Sequence, residues 1–441
     1  MIEINKIKKL IENRNFNVGI IGLGYVGLPL ALEFLQKGFK VIGHDIDKSK
    51  IDKLSQGIAY INHLDNELIQ KFITNGSFKV SANKEIINEM DAVMICVPTP
   101  IDKNRIPNLD SVISTAESIA KNMKEGTIIS LESSTYPGTT RDIIKPILDK
   151  SKFKIGDSYF LCYSPEREDP GNKEYKLKNI PKIIGCDDPQ SLEVGKHLYS
   201  NIVENVHDVS SSSAAEAVKL SENIFRAVNI SLSNELKIIY KEMGIDIWEV
   251  IDAAATKPFG YMAFYPGPGV GGHCIPIDPF YLTYKAKEFN VTTRFIELAG
   301  ELNVIVLDHT IQSLINHINF VLKKSISEAK LLILGLAYKK DVDDMRESPS
   351  VYIFNKLKKL GAEVNFNDDY IPIIPKTREH KNLEGIQSET ITAEKIKKYD
   401  GVIVLTDHSY YDLDLIFKHS KLIFDTRNLF KNFSSDKIIK L

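Results

Sequence analysis

The chain has 441 residues, more than one hydrophobic core usually supports, so we expect two or three domains that need neither metal nor disulfide staples. Its 56 basic and 58 acidic residues give a formal net charge of −2, which disfavours nucleic acid or an anionic membrane as a partner. No segment approaches the roughly 20 apolar residues of a membrane span or resembles a signal peptide. We therefore expect a cytoplasmic protein with a short helical N-terminal extension.

The four cysteines are dispersed along the chain without metal-ligand spacing. This distribution argues against a zinc site or a disulfide framework, so we predict no metal and reduced thiols. The cysteines are Cys96, Cys162, Cys186 and Cys274.

Apolar strand-like segments alternate with helical segments after the N-terminal extension. The strand candidates are NVGIIGLG, KVIGHD, AVMICVP, TIISLES and YFLCYSP. This alternation predicts a mainly parallel sheet covered by helices on both faces. From Ser210 to about Phe320 the strand candidates vanish, and apolar residues recur every three or four positions, which indicates one face of a long helix. These residues are Val218, Phe225, Val228, Leu232, Leu236, Ile239 and Met243.

A glycine motif follows the first predicted strand. Gly22, Gly24 and Gly27 form GxGxxG between NVGII and a predicted helix that ends at Gly38. Backbone N–H groups at the start of such a helix can bind a pyrophosphate. Asp45 lies 18 residues after Gly27, where a carboxylate accepts hydrogen bonds from ribose hydroxyls and disfavours a 2′-phosphate. We therefore predict NAD as the cofactor.

Further strands are predicted in KLLILGLAYK, EVNFNDD, GVIVLTDH and KLIFDTRN. The predicted fold class is therefore α/β, with two Rossmann-like doubly wound parallel-sheet domains joined by a helical central domain with a long helix. The predicted boundaries are residues 1–209, 210–320 and 321–441.

The segment YPGPGVGGHCIPIDPFY combines four glycines and four prolines with one cysteine. A single cysteine is most often a small buried hydrophobic residue, but a loop this rich in glycine lets the backbone approach a ligand. Cys274 and Asp278 are four positions apart, so both can reach one pocket if IPID begins a helical turn. We therefore predict that Cys274 is a nucleophile.

Three other polar segments are candidates for the site. Glu216, Lys219, Asn223 and Arg226 form a polar stripe along the long helix, and spacing alone favours a solvated helix face. SSTYPGTT, with Ser134 and Thr135, and YSPEREDPG, with Glu166, follow predicted strands, where doubly wound sheets place their ligand crevice. Both segments could equally be loops with helix-capping hydroxyls.

Together these segments resemble the UDP-glucose/GDP-mannose dehydrogenase family, from about Asn17 to about Phe430. The matching motifs are GLGYVGLP, VPTP, ESSTYPGTT, SPER, AEAVKLSENIFRAVNISLSNE, GPGVGGHCIPIDP, GLAYKKDVDDMRESPS, LTDH and DTRN. Within the family, the cysteine loop and LESSTYPGTTRD look most similar to the UDP-N-acetyl-D-glucosamine 6-dehydrogenase branch.

The resemblance implies a four-electron oxidation of a UDP-sugar at C6 with two NAD⁺ in sequence, through a thiohemiacetal and a thioester on Cys274. It implies that Lys219 and Asn223 stabilise oxyanion charge, that Asp278 and Thr135 act with a bound water, and that Glu166 serves the hydrolytic half-reaction. The helical middle is similar to the family's dimer core, so a homodimer is the smallest expected oligomer.

The predicted site has two further parts. Cofactor binding is predicted at Gly22, Gly24, Tyr25, Val26, Gly27, Asp45, Lys50, Pro98, Thr99, Thr135 and Arg346. Substrate binding is predicted at Glu166, Arg167, Lys219, Asn223, Gly271 and Lys339.

Three departures from the UDP-glucose branch bear on the sugar. Pro170 stands where that branch has a second acid, Ile277 where it has a lysine, and Pro258-Phe259-Gly260 where it has an RIG-like segment. These differences favour UDP-N-acetylglucosamine, with UDP-glucose and UDP-N-acetylmannosamine as the alternatives. A two-electron β-hydroxyacid dehydrogenase would need neither Cys274 nor the C-terminal domain. A non-catalytic nucleotide-sugar-binding module is the alternative from another functional class.

Overall fold

The computed structural model describes residues 3–61, 64–168, 177–272, 275–377 and 380–441. The chain divides into two compact units. The first comprises Met1–Asn223 and Phe280–Thr292, and the second comprises Ile224–Pro279 and Thr293–Leu441. No helix in the described part of the chain is both long enough and apolar enough to cross a membrane.

The first unit contains an eight-stranded sheet. Its strands are β1 (Asn17–Ile21), β2 (Lys40–His44), β3 (Phe78–Ser81), β4 (Ala92–Ile95), β5 (Thr127–Leu131), β6 (Tyr159–Tyr163), β7 (Lys182–Gly185) and β8 (Val206–Val209). The strand order is β3-β2-β1-β4-β5-β6-β7-β8, and every pair is parallel except β6 with β7, which pairs antiparallel at Tyr163 and Gly185. The central strands are buried along almost their whole length, which explains their continuous apolar sequences.

Helices cover this sheet. They are α1 (Ile4–Glu12), α2 (Gly27–Gln36), α3 (Lys48–Ser55), α4 (Asn66–Thr74), α5 (Asp110–Asn122), α6 (Lys145–Leu148) and α7 (Pro189–Tyr199). A π-helix covers Thr139–Ile144, and 3₁₀ turns cover Lys84–Glu89 and Leu177–Asn179. The helix α2 belongs to the same core as Val18 and Ile20 of β1, because its residues Leu28, Ala31 and Leu35 recur at helical spacing.

A long helix connects the two halves of the sequence. This helix, α8 (Ser212–Glu242), is followed by α9 (Ile247–Ala255), α10 (Asp278–Lys287) and α11 (Arg294–Val321). Between Ser210 and Phe320 the described residues contain no strand, as predicted.

The second unit contains a five-stranded parallel sheet. Its strands are β9 (Lys330–Leu334), β10 (Glu363–Asn367), β11 (Gly401–Val404), β12 (Ile423–Asp425) and β13 (Ile438–Lys440), in the order β10-β9-β11-β12-β13. Its helices are α12 (Pro349–Lys359), α13 (Ala393–Ile396) and α14 (Leu413–His419), with 3₁₀ turns at Ile326–Glu328 and Lys381–Leu383.

The predicted α/β class, with two parallel-sheet domains and a helical middle, is confirmed. Four strands were not predicted: β3, β7, β8 and β13. Each has only three or four residues, and β3, β8 and β13 lie at sheet edges, where partial exposure removes a continuous apolar pattern. The predicted boundaries at 209 and 320 remain a prediction.

Candidate active site

The three glycines of the turn after β1 have different roles. Gly22 has φ +92°, and a Cβ there would lie 2.6 Å from the Cys96 carbonyl oxygen. A Cβ on Gly27 would lie 1.9 Å from the oxygen of Gly22, whereas one on Gly24 would meet no heavy atom within 4 Å. The first and third glycines therefore let strand, turn and helix pack together. The middle glycine leaves room for a ligand at the N-terminus of α2, so the turn fits a dinucleotide.

Asp45 follows β2 and is anchored from three sides. Its Oδ2 accepts the Leu23 N–H at 2.9 Å and the Lys50 ammonium at 3.1 Å, and its Oδ1 accepts the Asp47 N–H at 2.9 Å. The carboxylate is thereby fixed beside the glycine turn. Lys50, predicted at the cofactor, neutralises part of the negative charge that would repel a 2′-phosphate.

The loops after β4 and β5 are tied together at the same edge of the sheet. The Ser133 hydroxyl donates to the Val97 oxygen at 2.7 Å, and the Tyr281 hydroxyl donates to the Thr99 oxygen at 2.9 Å. Pro98 is exposed and Thr99 is buried. Thr135 is fully buried, and its Oγ1 has no hydrogen-bond partner among the described residues. A buried hydroxyl in that state suits a site that a ligand or water completes.

The polar stripe of α8 is not a solvated face, because Glu216, Lys219 and Asn223 are all buried. The Glu216 carboxylate accepts the N–H of Gly138 at 2.5 Å and that of Thr140 at 2.8 Å. Burial raises the pKa of Glu216 to about 7, although these hydrogen bonds oppose the rise. Glu216 therefore anchors the loop that carries Thr135, at Gly138 and Thr140.

The loop after β6 brings three predicted residues together. The Glu166 Oε1 accepts the N–H groups of Arg167 and Glu168, each at 2.7 Å. The Lys219 ammonium donates to the Glu166 carbonyl oxygen. The Arg167 guanidinium pairs with Glu222 on α8 at 2.5 Å. Lys219 thus fixes the backbone of the loop that presents the Glu166 carboxylate.

In the second unit, the glycine-rich loop is held at several backbone atoms. The Gly267 N–H donates to Asn234 Oδ1 at 2.9 Å, and the Lys237 ammonium donates to the Gly267 oxygen at 3.1 Å. Val270 exchanges two hydrogen bonds with the Asn303 side chain. Cys274 lies outside the described residues, and Asp278 is buried at the first position of α10.

The end of this loop packs on the segment that follows β9. A Cβ on Gly271 would lie 2.7 Å from the Glu347 oxygen, and the Gly272 N–H donates to the Arg346 oxygen at 3.1 Å. Packing alone therefore requires a glycine at position 271. The Arg346 guanidinium pairs with Asp344 at 2.7 Å, and Lys339 is half-buried in the same segment.

A second aspartate–glycine pair closes the corresponding edge of the five-stranded sheet. Asp368, after β10, accepts the N–H groups of Leu336 and Ala337 at 2.8 and 2.9 Å, just beyond Gly335. The buried His408 accepts the Asp341 N–H at Nδ1, so its Nε2 carries the hydrogen and donates to Asp368 at 3.2 Å. The ring of Tyr410 stacks on that imidazole at 5.4 Å.

Three family models match successive parts of the chain. They are the NAD binding domain (residues 16–203), the central domain (residues 213–304) and the UDP binding domain (residues 332–432) of the UDP-glucose/GDP-mannose dehydrogenase family. The chain belongs to this family. It is an oxidoreductase of the UDP-sugar dehydrogenase type, with NAD as its cofactor and a UDP-sugar as its substrate.

Relatives of this dehydrogenase match it over nearly its whole length. Protein CapL of Staphylococcus aureus is 34% identical over 426 residues, which cover 94% of this chain and 96% of the relative. A UDP-N-acetyl-D-glucosamine 6-dehydrogenase of Pseudomonas aeruginosa is 33% identical over 433 residues, 96% of this chain and 99% of the relative. The solved UDP-D-ManNAc dehydrogenase of Pyrococcus horikoshii superposes with a TM-score of 0.84 at 28% identity, covering 96% of this chain and 97% of that one.

One charged pair beside the dehydrogenase's predicted acid was not predicted from the sequence. The Lys182 ammonium lies 2.7 Å from Glu132 Oε2 and 3.5 Å from Glu166 Oε2. Glu132 directly follows the buried strand β5. An acid at the end of such an apolar segment indicates that a buried cation pairs with it. Its partner is 50 residues away in the sequence, so spacing could not identify it.

Proposed function

We propose that this dehydrogenase oxidises the C6 hydroxymethyl group of UDP-N-acetyl-D-glucosamine to the carboxylate of UDP-N-acetyl-D-glucosaminuronate, a precursor for surface polysaccharide. One buried cluster carries the proposal. Lys219 and Asn223 are buried on α8, Lys219 binds the loop of Glu166, and Thr135 holds a buried hydroxyl with no partner among the described residues. This set offers an ammonium, a hydroxyl and a carboxylate to an oxidation at carbon.

The chain's own residues account for each step. NAD supplies the hydride acceptor for both oxidations when it is bound. The Cys274 thiol adds to the C6 aldehyde to give a thiohemiacetal, and oxidation of that adduct gives a thioester. Asp278 accepts a proton through a water that Thr135 positions, while Lys219 and Asn223 stabilise negative charge on the C6 oxygen. Glu166 then activates the water that hydrolyses the thioester.

The choice of sugar rests on the sequence departures and the relatives. The P. aeruginosa relative, 33% identical to this chain, is named for UDP-N-acetyl-D-glucosamine. The P. horikoshii structure is named for the ManNAc sugar, so UDP-N-acetylmannosamine is the second candidate. The two sugars differ only in configuration at C2.

The NADH yield per sugar tests both parts of the proposal. Each of UDP-N-acetylglucosamine, UDP-N-acetylmannosamine, UDP-glucose and UDP-N-acetylgalactosamine is oxidised to completion, and NADH is counted by absorbance. Two NADH per UDP-N-acetylglucosamine, with the highest kcat/KM of the panel, is the expected result. One NADH per sugar would refute the thioester route, and a preference for another sugar would refute the substrate alone. Absence of NADH with every sugar would favour the non-catalytic binding module.

Substitution of the proposed nucleophile tests the covalent route directly. Cys274→Ser is expected to abolish formation of the uronate, because a serine ester does not replace the thiolate chemistry. Cys186→Ala, which alters a buried core thiol in the same domain as the NAD site, is the matched control and should retain turnover. Full turnover by Cys274→Ser would contradict the mechanism.

A homodimer is proposed from the apolar face of α8, comprising Phe225, Leu232, Ile239 and Met243. These side chains are between 46% and 63% exposed in the single chain, and the first three recur every seven residues. A continuous apolar stripe of this kind is typical of a surface that a second copy covers about a twofold axis. Leu232→Asp should shift the mass in sedimentation equilibrium from dimer to monomer. Ile373→Asp, at an exposed apolar residue of the C-terminal domain, should not; an unchanged mass for Leu232→Asp would refute the interface.

The three described thiols, Cys96, Cys162 and Cys186, are free and buried. We propose a cytoplasmic location, where thiols stay reduced.

A further inference from the structure

A buried ammonium lies between two carboxylates beneath the loop that follows β6. Lys182 begins β7, and its Nζ lies 2.7 Å from Glu132 Oε2, 3.5 Å from Glu166 Oε2 and 3.2 Å from the Pro165 oxygen. The side chains of Lys182 and Glu132 are 4% and 0% exposed. The Tyr199 ring packs under the ammonium at 5.4 Å. Desolvation makes a buried ion pair of this kind costly. We therefore expect its role to lie in the groups that it positions.

The groups around this ammonium keep it charged. Burial disfavours the charged form of Lys182, but attraction to Glu132 and Glu166 outweighs burial and raises its pKa. Burial raises the pKa of Glu132 despite the attraction of Lys182. Burial also raises the pKa values of the Cys96 thiol and the Tyr199 hydroxyl, so both are neutral near pH 7. Lys182 is therefore the cation that faces the Glu166 carboxylate within this cluster.

The two oxygens of Glu166 have different surroundings. Oε1 is held by the N–H groups of Arg167 and Glu168 at 2.7 Å each. Oε2 is buried and accepts no hydrogen bond from any described residue, with the Lys182 ammonium 3.5 Å away. The first oxygen fixes the carboxylate, and the second keeps its lone pairs for another donor. A water molecule is the donor that the hydrolytic step requires.

We propose that Lys182 is a positioning residue for thioester hydrolysis, which orients the Glu166 carboxylate and directs its Oε2 toward the attacking water, with Glu132 as the fixed counter-ion of the ammonium. This inference rests on the proposed function. In the step, the water oxygen bonds to C6 of the thioester, and the water proton passes to Glu166 Oε2. The bond from C6 to the sulfur breaks, the thiolate of Cys274 leaves and takes up the proton held by Glu166, and the new carboxylic acid releases its own proton to solvent. Water and thioester are thereby converted to uronate, thiol and one released proton, without an oxidant.

Pre-steady-state kinetics of Lys182→Met separates hydrolysis from oxidation. Loss of the ammonium should leave a burst of two NADH per active site and then slow steady-state turnover about 100-fold, the scale of general base catalysis. Intact-protein mass spectrometry should detect the thioester adduct on Cys274 during that slow phase. Lys182→Arg, which restores the positive charge, should recover most of the hydrolysis rate. A merely structural role would lower burst and steady state together.

Two further variants keep the test decisive. Lys196→Met removes an exposed lysine that pairs with Asp208 at 2.5 Å in the same domain, and it should leave burst and turnover unchanged. If Lys182→Met does not fold, Lys182→Met combined with Glu132→Gln removes both charges of the pair together, a change that buried pairs often tolerate.

The outcomes distinguish the two hypotheses. A wild-type enzyme that yields one NADH per sugar overturns the proposed function. A wild-type enzyme that yields two NADH per sugar, with hydrolysis at the wild-type rate in the Lys182 variants, overturns this inference alone.

Discussion

The two α/β domains begin with the same backbone device and differ in what occupies the space beside it. In each, the first strand ends at a glycine with positive φ, Gly22 at +92° and Gly335 at +85°. In each, an aspartate after the neighbouring strand accepts N–H groups just beyond that glycine. Beside Asp45 the turn continues to the open Gly24, whereas beside Asp368 a buried imidazole and tyrosine rings fill the space. The same turn therefore leaves open space at Gly24 in one domain and is packed against side chains in the other.

Removal of the two aspartates should affect different properties, namely stability for Asp368 and NAD affinity for Asp45. Asp368→Ala is expected to lower the free energy of unfolding by about 4 kcal/mol, because several backbone N–H groups and His408 lose a buried acceptor. Urea denaturation followed by circular dichroism measures this loss. Asp45→Ala should instead weaken NAD binding in isothermal titration calorimetry. Equal loss of NAD affinity in both variants would show that the two crevices are not functionally distinct.

Gly24→Ala should separate binding from folding in the first domain. The new Cβ meets no protein atom within 4 Å, so the fold should persist, while the methyl group enters the space that a pyrophosphate needs. A loss of about 2 kcal/mol in NAD binding, or roughly 30-fold in Kd, is expected by calorimetry. Gly27→Ala is the control that should unfold more readily, because its Cβ would lie 1.9 Å from a carbonyl oxygen. An unchanged Kd for Gly24→Ala would show that the pyrophosphate does not bind at this turn.

The two glycines that follow the first strand of each domain, Gly22 and Gly335, should be equally important for stability. Gly22→Ala and Gly335→Ala both place a side chain at positive φ, where its Cβ would lie 2.6 Å from Cys96 and 2.3 Å from Thr406 respectively. Each is expected to cost about 2 kcal/mol of stability, measured as a shift in the urea midpoint. A large loss in only one variant would mean that the two turns carry different strain.

The smallest expected effect concerns the partners of the two aspartates. The Lys50 side chain is 32% exposed, so Lys50→Met should change the free energy of unfolding by less than about 1 kcal/mol in the same urea assay. His408→Ala, measured in parallel, should lower the free energy of unfolding by more than Lys50→Met does, because the His408 side chain that contacts Asp368 is fully buried. A loss above about 2 kcal/mol for Lys50→Met would show that Asp45 also depends on a structural partner.

The local parts of the fold follow from the sequence because their determinants are contiguous. The GxGxxG turn, the nine predicted strands and the long α8 are each set by a continuous stretch of residues. The strands β7 and β8 were not predicted. The apolar pattern of β7, KIIG, is too short, and β8 is partly exposed, so it has no continuous apolar pattern.

The candidate site was less accessible to sequence reasoning, because its decisive contacts join distant segments. Spacing favoured a solvated face for Glu216 and Lys219, but the loops carrying Gly138 and Glu166 cover them. The partner of Lys182 is likewise set by the order of strands in the sheet. Family resemblance identified Thr135, Lys219 and Cys274, and their catalytic roles remain predictions.

The loop that leads to Cys274 has no regular secondary structure, yet side chains hold its backbone at Phe264, Gly267 and Val270. Hydrogen–deuterium exchange should therefore be slow at the amides of Gly267 and Val270, as in a core strand. Its conformational entropy is lost during folding, before any sugar binds. A ligand that binds at this loop therefore bears no ordering cost for the part from Phe264 to Val270, which favours tight binding.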